Sequence, residues 1–236
     1  MVLFISLMVF LFLGGALIGF RQLMRLEHLS RSRVLNGLLI AAVTLTIMSV
    51  AHLSGLFTQA IAAKVTMSLY TIAGGFFMGY GTKLISMRGS AGDIEYMHRS
   101  FWVDVAPNLI AVGLFVFGIY RTGLLHWEFF TGIGITSGVS LIGFGFWGWT
   151  VRVVPEFRTN GMLVLDKLVK WKKIIAYNWV SEETLQIEYL NDDKKISEFR
   201  TYIPPEDQLI IERLLGKKIK EYEEERKQLM LDEDKG

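Results

Sequence analysis

The first two thirds of the chain alternate long apolar runs with short polar joins, and the last third switches to strand-like alternation. Residues 2–20 carry no charge, which at 1.5 Å per residue is enough to cross a hydrocarbon core of about 30 Å. Further apolar runs at 34–57, 65–86, 101–120 and 129–151 have comparable length. The pattern predicts about five transmembrane helices in a domain of 1–152. The first run is not a signal peptide by pattern, because no basic segment precedes it and Gly14-Gly15-Ala16 lies inside it.

Charge between the runs predicts orientation. With the N-terminus outside, Arg21, Arg25, Arg31, Arg33, Lys83, Arg88, Arg99 and Arg152 face the cytoplasm, and Lys64 and Arg121 face out. Trp147 and Trp149 suit the membrane–water boundary at the end of the fifth run. Pro155 then predicts a break, with 153–156 as a short linker into a cytoplasmic domain.

Beyond the linker the period shortens. Asn160-Gly161 is a hairpin signal. Residues 168–179 form a β-prone run holding Trp171, Ile174, Tyr177 and Trp179. Leu185, Ile187 and Tyr189 alternate with Gln186 and Glu188, as in a half-buried strand. A turn at 191–194 returns the chain through 196–203, and Pro204-Pro205 ends the sheet. A helix over 206–215 follows, started by Pro205 and the acids behind it and stopped by Gly216. Residues 217–236 read as a charged helical tail in which Glu223 and Lys227 form an i,i+4 pair.

Composition sharpens this picture in two ways. Residues 1–155 hold ten Lys and Arg against five Asp and Glu, whereas 156–236 hold fifteen against eighteen. The soluble part is therefore net acidic, which argues against nucleic acid as a partner. The chain has no cysteine, so disulfides, thiolate metal sites and cysteine nucleophiles are excluded. The mean hydropathy of +0.36 accords with a membrane chain.

The candidate chemistry is sparse. Gly-x-x-x-Gly pairs occur at Gly15/Gly19, Gly75/Gly79 and Gly134/Gly138, and they favour close helix packing over a ligand role. Ser137, Ser140, Gly143, Gly145 and Gly148 extend the last of them. Asp104, near Pro107 at a helix start, could join His98 and Arg99 in a polar site, although a carboxylate in a first helical turn is also satisfied by the dipole. Asp93 and Glu95 lie in the same polar loop over 87–100, and His52 near the end of the second run is the other ionisable candidate. None of these matches a catalytic or metal-ligand spacing, and no cofactor is expected.

The segment from Asn160-Gly161 through Val169-Lys170-Trp171-Lys172-Lys173-Ile174-Ile175-Ala176-Tyr177-Asn178-Trp179, then a charged hairpin, Pro-Pro-Glu and a closing helix, resembles the bacterial pleckstrin-homology-like domains that follow membrane spans. The resemblance covers about 157–216 and implies a small α+β domain of antiparallel strands with a C-terminal helix. A full pleckstrin fold has seven strands, and only four or five are legible, so the sheet is either truncated or completed by a neighbouring element. The resemblance also implies an anionic-ligand patch, for which Lys167, Lys170, Lys172 and Lys173 are the candidates; the competing reading is the solvated face of a strand. The expectation is a non-enzymatic, multi-pass protein of the cell membrane. Its partners would be the lipid bilayer and other subunits, either as a homo-oligomer or within a membrane complex. A pore-forming oligomer and a lipid-modifying enzyme are the alternatives.

Overall fold

The computed structural model describes residues 2–23, 31–55, 58–99, 101–125, 131–191 and 195–233. The chain divides into two compact units, Met1–Ser86 with Asp104–Val151, and Met87–Val103 with Arg152–Gly236.

The N-terminal region is helical. Its helices are α1 (Val2–Phe20), α2 (Arg31–Leu53), α3 (Gln59–Ala91), α4 (Ala106–Thr122) and α5 (Gly132–Thr150), with a π-helical turn, Phe101–Val105, leading into α4. Among the described residues, α1 and α3 are long and apolar enough to cross a membrane, with mean hydropathies of 2.6 and 1.3, and α4 is a shorter apolar helix. Pro107 lies in the first turn of α4, where its missing N–H costs nothing, and Gly123 ends that helix with φ 80°. Thr131 caps α5 by accepting the Gly134 N–H at 3.0 Å.

Glycine decides how these helices meet. Gly75 and Gly79 lie against the backbone of Phe12 and Ala16 on α1, and Gly15 and Gly19 against Ile72 and Phe76 on α3. Two Gly-x-x-x-Gly pairs thus face each other, and a Cβ on any of the four would overlap a backbone carbonyl. Gly143 of α5 meets the Gly74 carbonyl, where a Cβ would stand 2.5 Å away. Gly138 does the same on α4, 2.6 Å from the Gly118 carbonyl.

Among its described residues the second unit contains seven antiparallel strands in two sheets. The first sheet runs β1 (Ile94–Met97), β2 (Arg152–Arg158), β3 (Gly161–Leu165), β4 (Lys167–Lys170), in that spatial order. The second runs β5 (Ile174–Ser181), β6 (Thr184–Leu190), β7 (Ile196–Tyr202). A 3₁₀ turn, Trp171–Lys173, carries the chain from one sheet to the other. The helices α6 (Gln208–Glu221) and α7 (Glu223–Glu233) follow. Phe157, Met162, Trp171, Ile174, Leu185, Ile187, Ile203, Ile211 and Leu215 form one buried core between the sheets and α6. Full burial of such side chains contributes roughly 1.5–3 kcal/mol each.

Four expectations change. Residues 153–156 are not a linker but part of β2. Pro155 is tolerated there because the β2–β3 register shifts between Arg152 and Glu156, so no ladder hydrogen bond is asked of it. The stretch 87–100 is not simply a polar loop. It holds the end of α3, Gly92 at φ +79°, and strand β1, which pairs with β2. Gly216 does not stop the closing helix, which continues to Glu221 because Lys218 and Ile219 still pack inward. Residues 217–221 are therefore helix α6, and only the part after Tyr222 forms a separate helix. Of the turn expected at 191–194, residues 192–194 lie outside the described residues.

Candidate functional site

The polar chemistry of the second unit gathers where β1, the β2–β3 hairpin and α6 meet. A helix leaves its last carbonyls without internal partners. At the end of α3 the hairpin supplies donors for them. Arg158 Nη1 donates to the carbonyls of Gly92 at 2.7 Å and Arg88 at 3.3 Å. Asn160 Nδ2 donates to the Ser90 carbonyl at 3.1 Å, and the Asn160 amide to Ala91 at 3.0 Å. The Thr159 amide bonds the Asp93 carbonyl at 2.9 Å. The Asn160-Gly161 turn is thus both a hairpin and the cap of a helix about seventy residues earlier.

Beneath it lies a buried ion pair. Glu156 is 2% exposed and accepts from Arg158 Nε at 2.8 Å and Nη2 at 2.6 Å, while Arg88 Nε stands 3.8 Å away. A buried carboxylate is tolerated only with such partners. On the other flank Lys218, 6% exposed, donates to Glu95 at 2.8 Å and to the Thr159 carbonyl at 3.3 Å, and sits 5.8 Å from the Trp171 ring centre. The Trp171 indole N–H donates to the Arg158 carbonyl at 2.9 Å. Tyr96 donates its hydroxyl to Asp207 at 2.8 Å. Burial, reinforced by the Asp207 hydrogen bond and charge, pushes the Tyr96 hydroxyl well above its ordinary pKa. Strand β1 is therefore anchored to α6 and its leading turn at two points, Glu95–Lys218 and Tyr96–Asp207.

The expected sites distribute differently. His98 lies beside Tyr202, ring centres 6.1 Å apart, and Arg99 is exposed. Both belong to the second unit, whereas Asp104 belongs to the first and its side chain, like that of His52, lies outside the described residues. Glu95 is engaged by Lys218. The four lysines do not form one patch. Lys167 bonds Asn191 and lies over the Tyr189 ring at 5.0 Å. Lys170 and Lys172 line an open cavity of about 430 Å³ with Asn160, Tyr222 and Glu225, and Glu225 stands 3.8 Å from Lys172. Lys173 does not line that cavity. Gly75, Gly79, Gly134 and Gly138 all lie at helix contacts, with Gly134 against Thr131 and the Arg121 carbonyl. Among the described residues no group of three or more His, Asp and Glu is arranged to hold a metal.

Sequence reasoning gave Glu156, Arg158, Lys218 and Tyr96 no site role, and gave Asp207 only that of starting a helix. Two signals were available. Glu156 and Arg158 are two apart and so share one face of a strand, and Lys218 lies seven residues from Ile211 and three from Leu215, on the helix's apolar stripe.

Residues 154–220 match a family described as "Domain of unknown function (DUF5673)". The match starts within β2 and ends within α6, and it leaves out β1. No curated protein and no solved structure matches the chain.

Proposed function

We propose that this chain is a multi-pass membrane protein whose cytoplasmic, pleckstrin-like domain mediates protein interaction and self-assembly at the membrane, without catalysis of its own. The observation that carries this reading is the origin of β1. The soluble domain takes an edge strand from the join between two apolar helices, and the chain passes between the two units three times. Such a module is part of the membrane chain's own architecture rather than a passenger on a tether. A four-stranded sheet followed by a three-stranded sheet and a closing helix is the arrangement of a pleckstrin fold, here with α4 and α5 inserted between β1 and β2, which supports that part of the reading. Two of the domain's buried cations are held in ion pairs, Arg158 by Glu156 and Lys218 by Glu95, which is consistent with a structural role for them. Gly138, Gly143 and Gly145 belong to the small-residue face of α5 that, with the many glycines, suggested a pore; they lie against α3 and α4.

In this reading the five helices all cross the bilayer, with the N-terminus outside. The absence of cysteine makes topology directly testable. Single cysteines at Ser54 and Leu124 are expected to react with an impermeant maleimide added to intact cells, and one at Lys195 only after permeabilisation. A Lys195 position labelled from outside would overturn the orientation. Solubilisation in mild detergent followed by mass measurement tests the assembly. A lone monomer that retains no protein partner would remove the interaction role.

A further inference from the structure

Strand β7 is an outer strand: β6 flanks one side, and among the described residues no strand flanks the other. A free edge offers unpaired backbone groups to any complementary strand. Its sequence, Ile196-Ser197-Glu198-Phe199-Arg200-Thr201-Tyr202, is chemically palindromic about Phe199. On either side stand in turn a charge, a hydroxyl and a large apolar residue, and the two charges are opposite in sign. Ile196, Glu198, Arg200 and Tyr202 share the exposed face, with Ile196 67% and Tyr202 52% exposed and both charged side chains more than half exposed. Ser197, Phe199 and Thr201 lie on the other face, opposite Tyr189, Ile187 and Leu185 of β6.

We propose that β7 pairs antiparallel with β7 of a second copy of this chain, about a two-fold axis through Phe199, joining two three-stranded sheets into one of six strands. The inference rests on the self-assembly part of the function proposed above and names its surface. In this register Glu198 faces the partner's Arg200 and Arg200 faces the partner's Glu198. Ile196 faces the partner's Tyr202, Ser197 the partner's Thr201, and Phe199 its own counterpart. A shift of one residue either way places Glu198 opposite Phe199 or Phe199 opposite Arg200, so charge complementarity selects a single register.

The sheet also carries a like-charge contact that the partner would relieve. Glu188 of β6 stands directly opposite Glu198, a destabilising cross-strand pair. Within one chain Glu198 is served by Gln186 at 2.9 Å and loosely by Arg200 at 3.6 Å. Arg200 in turn donates to Gln186 at 2.9 Å. A partner's Arg200 would supply Glu198 with a second cation. Edge strands are commonly guarded by charge of one sign. One acid and one base at symmetric positions do the reverse for a copy of the same strand.

The test uses the full chain in mild detergent. Directly opposed residues bring Cβ atoms to about 5 Å, within reach of a disulfide, whereas positions 196 and 202 of one strand are about 20 Å apart. The variant Ile196→Cys with Tyr202→Cys is expected to form a covalent dimer on mild oxidation, and neither single variant should do so. Arg200→Glu sets two like-charged pairs across the axis and should abolish the dimer by light scattering. Glu198→Arg combined with Arg200→Glu exchanges the charges, restores complementarity and should regain it. A wild-type dimer that fails to cross-link, or that survives Arg200→Glu, overturns the β7 interface and leaves self-assembly to another surface. A monomeric wild-type protein overturns both the interface and the self-assembly reading.

Discussion

Tyr96 shows how a single side chain couples a short strand to the rest of its domain. It is the only aromatic residue of β1, and its hydroxyl is used on Asp207 rather than on solvent. Because burial and Asp207 raise its pKa, the folded domain retains a proton that the unfolded chain releases above about pH 10. The folded state then binds more protons than the unfolded state, so this stabilisation is complete below pH 10 and is lost as pH rises beyond it. Tyr96→Phe is expected to lower stability by about 0.5–1.5 kcal/mol at neutral pH, the value of one hydrogen bond. The difference from wild type should shrink between pH 10 and 11 in thermal melts. A gap that stays constant over that window would show that the hydroxyl is not the stabilising group. At this scale the sequence grouped Asp93, Glu95, His98, Arg99 and Asp104, but two of them find partners more than a hundred residues away: Lys218 for Glu95 and Tyr202 for His98. The exposed Glu223–Lys227 pair, 2.9 Å apart, was legible because helix periodicity alone places it.

At the scale of elements, the ends were the hardest to read. Glycine has the lowest helix propensity after proline, which makes Gly216 look like a stop. In the structure a Cβ at Gly216 would meet nothing, and the apolar stripe continues from Ile211 through Leu215 to Ile219. Packing of that stripe outweighs a local preference of about 1 kcal/mol. Gly216→Ala is therefore expected to stabilise the domain by roughly 0.5–1 kcal/mol, visible as a shift of the denaturation midpoint at unchanged slope. A loss of stability would mean that the helix is interrupted there after all. The run over 168–179 read as a single β-prone stretch and holds parts of two strands, because Trp171–Lys173 turns a corner that only the second sheet requires. Pro155 read as a boundary for a similar reason. Its effect on a helix is local and certain, whereas its accommodation in β2 depends on a register shift against β3.

The whole molecule turns on a domain built from two separated segments. The segment matching the domain family begins at residue 154, yet β1 at Ile94–Met97 occupies one edge of the first sheet and helps cover Phe157, whose ring centre lies 5.9 Å from that of Tyr96. Residues 154–220 alone are thus expected to be unfolded or aggregated, with β2 left without β1 and Lys218 without Glu95. Residues 87–99 joined by a short glycine-serine linker to 152–233 are expected to fold, with a cooperative melt and a buried Trp171 emission. A cooperative melt from 154–220 alone would show that β1 is dispensable.

What the sequence determined by itself follows from interactions that are local or periodic. The apolar runs, the close-packing glycines, the alternating strands and the net acidic character of the last third need only neighbours within a turn or along a strand. What the tertiary structure decided follows from pairing across long separations. A four-residue strand has too few positions to show a period, and it exists only because the β2 edge and α6 receive it. The same distinction explains the seven strands where four or five were legible. Short strands draw their stability from the partner beside them, and a sequence read in order does not say which partner that is.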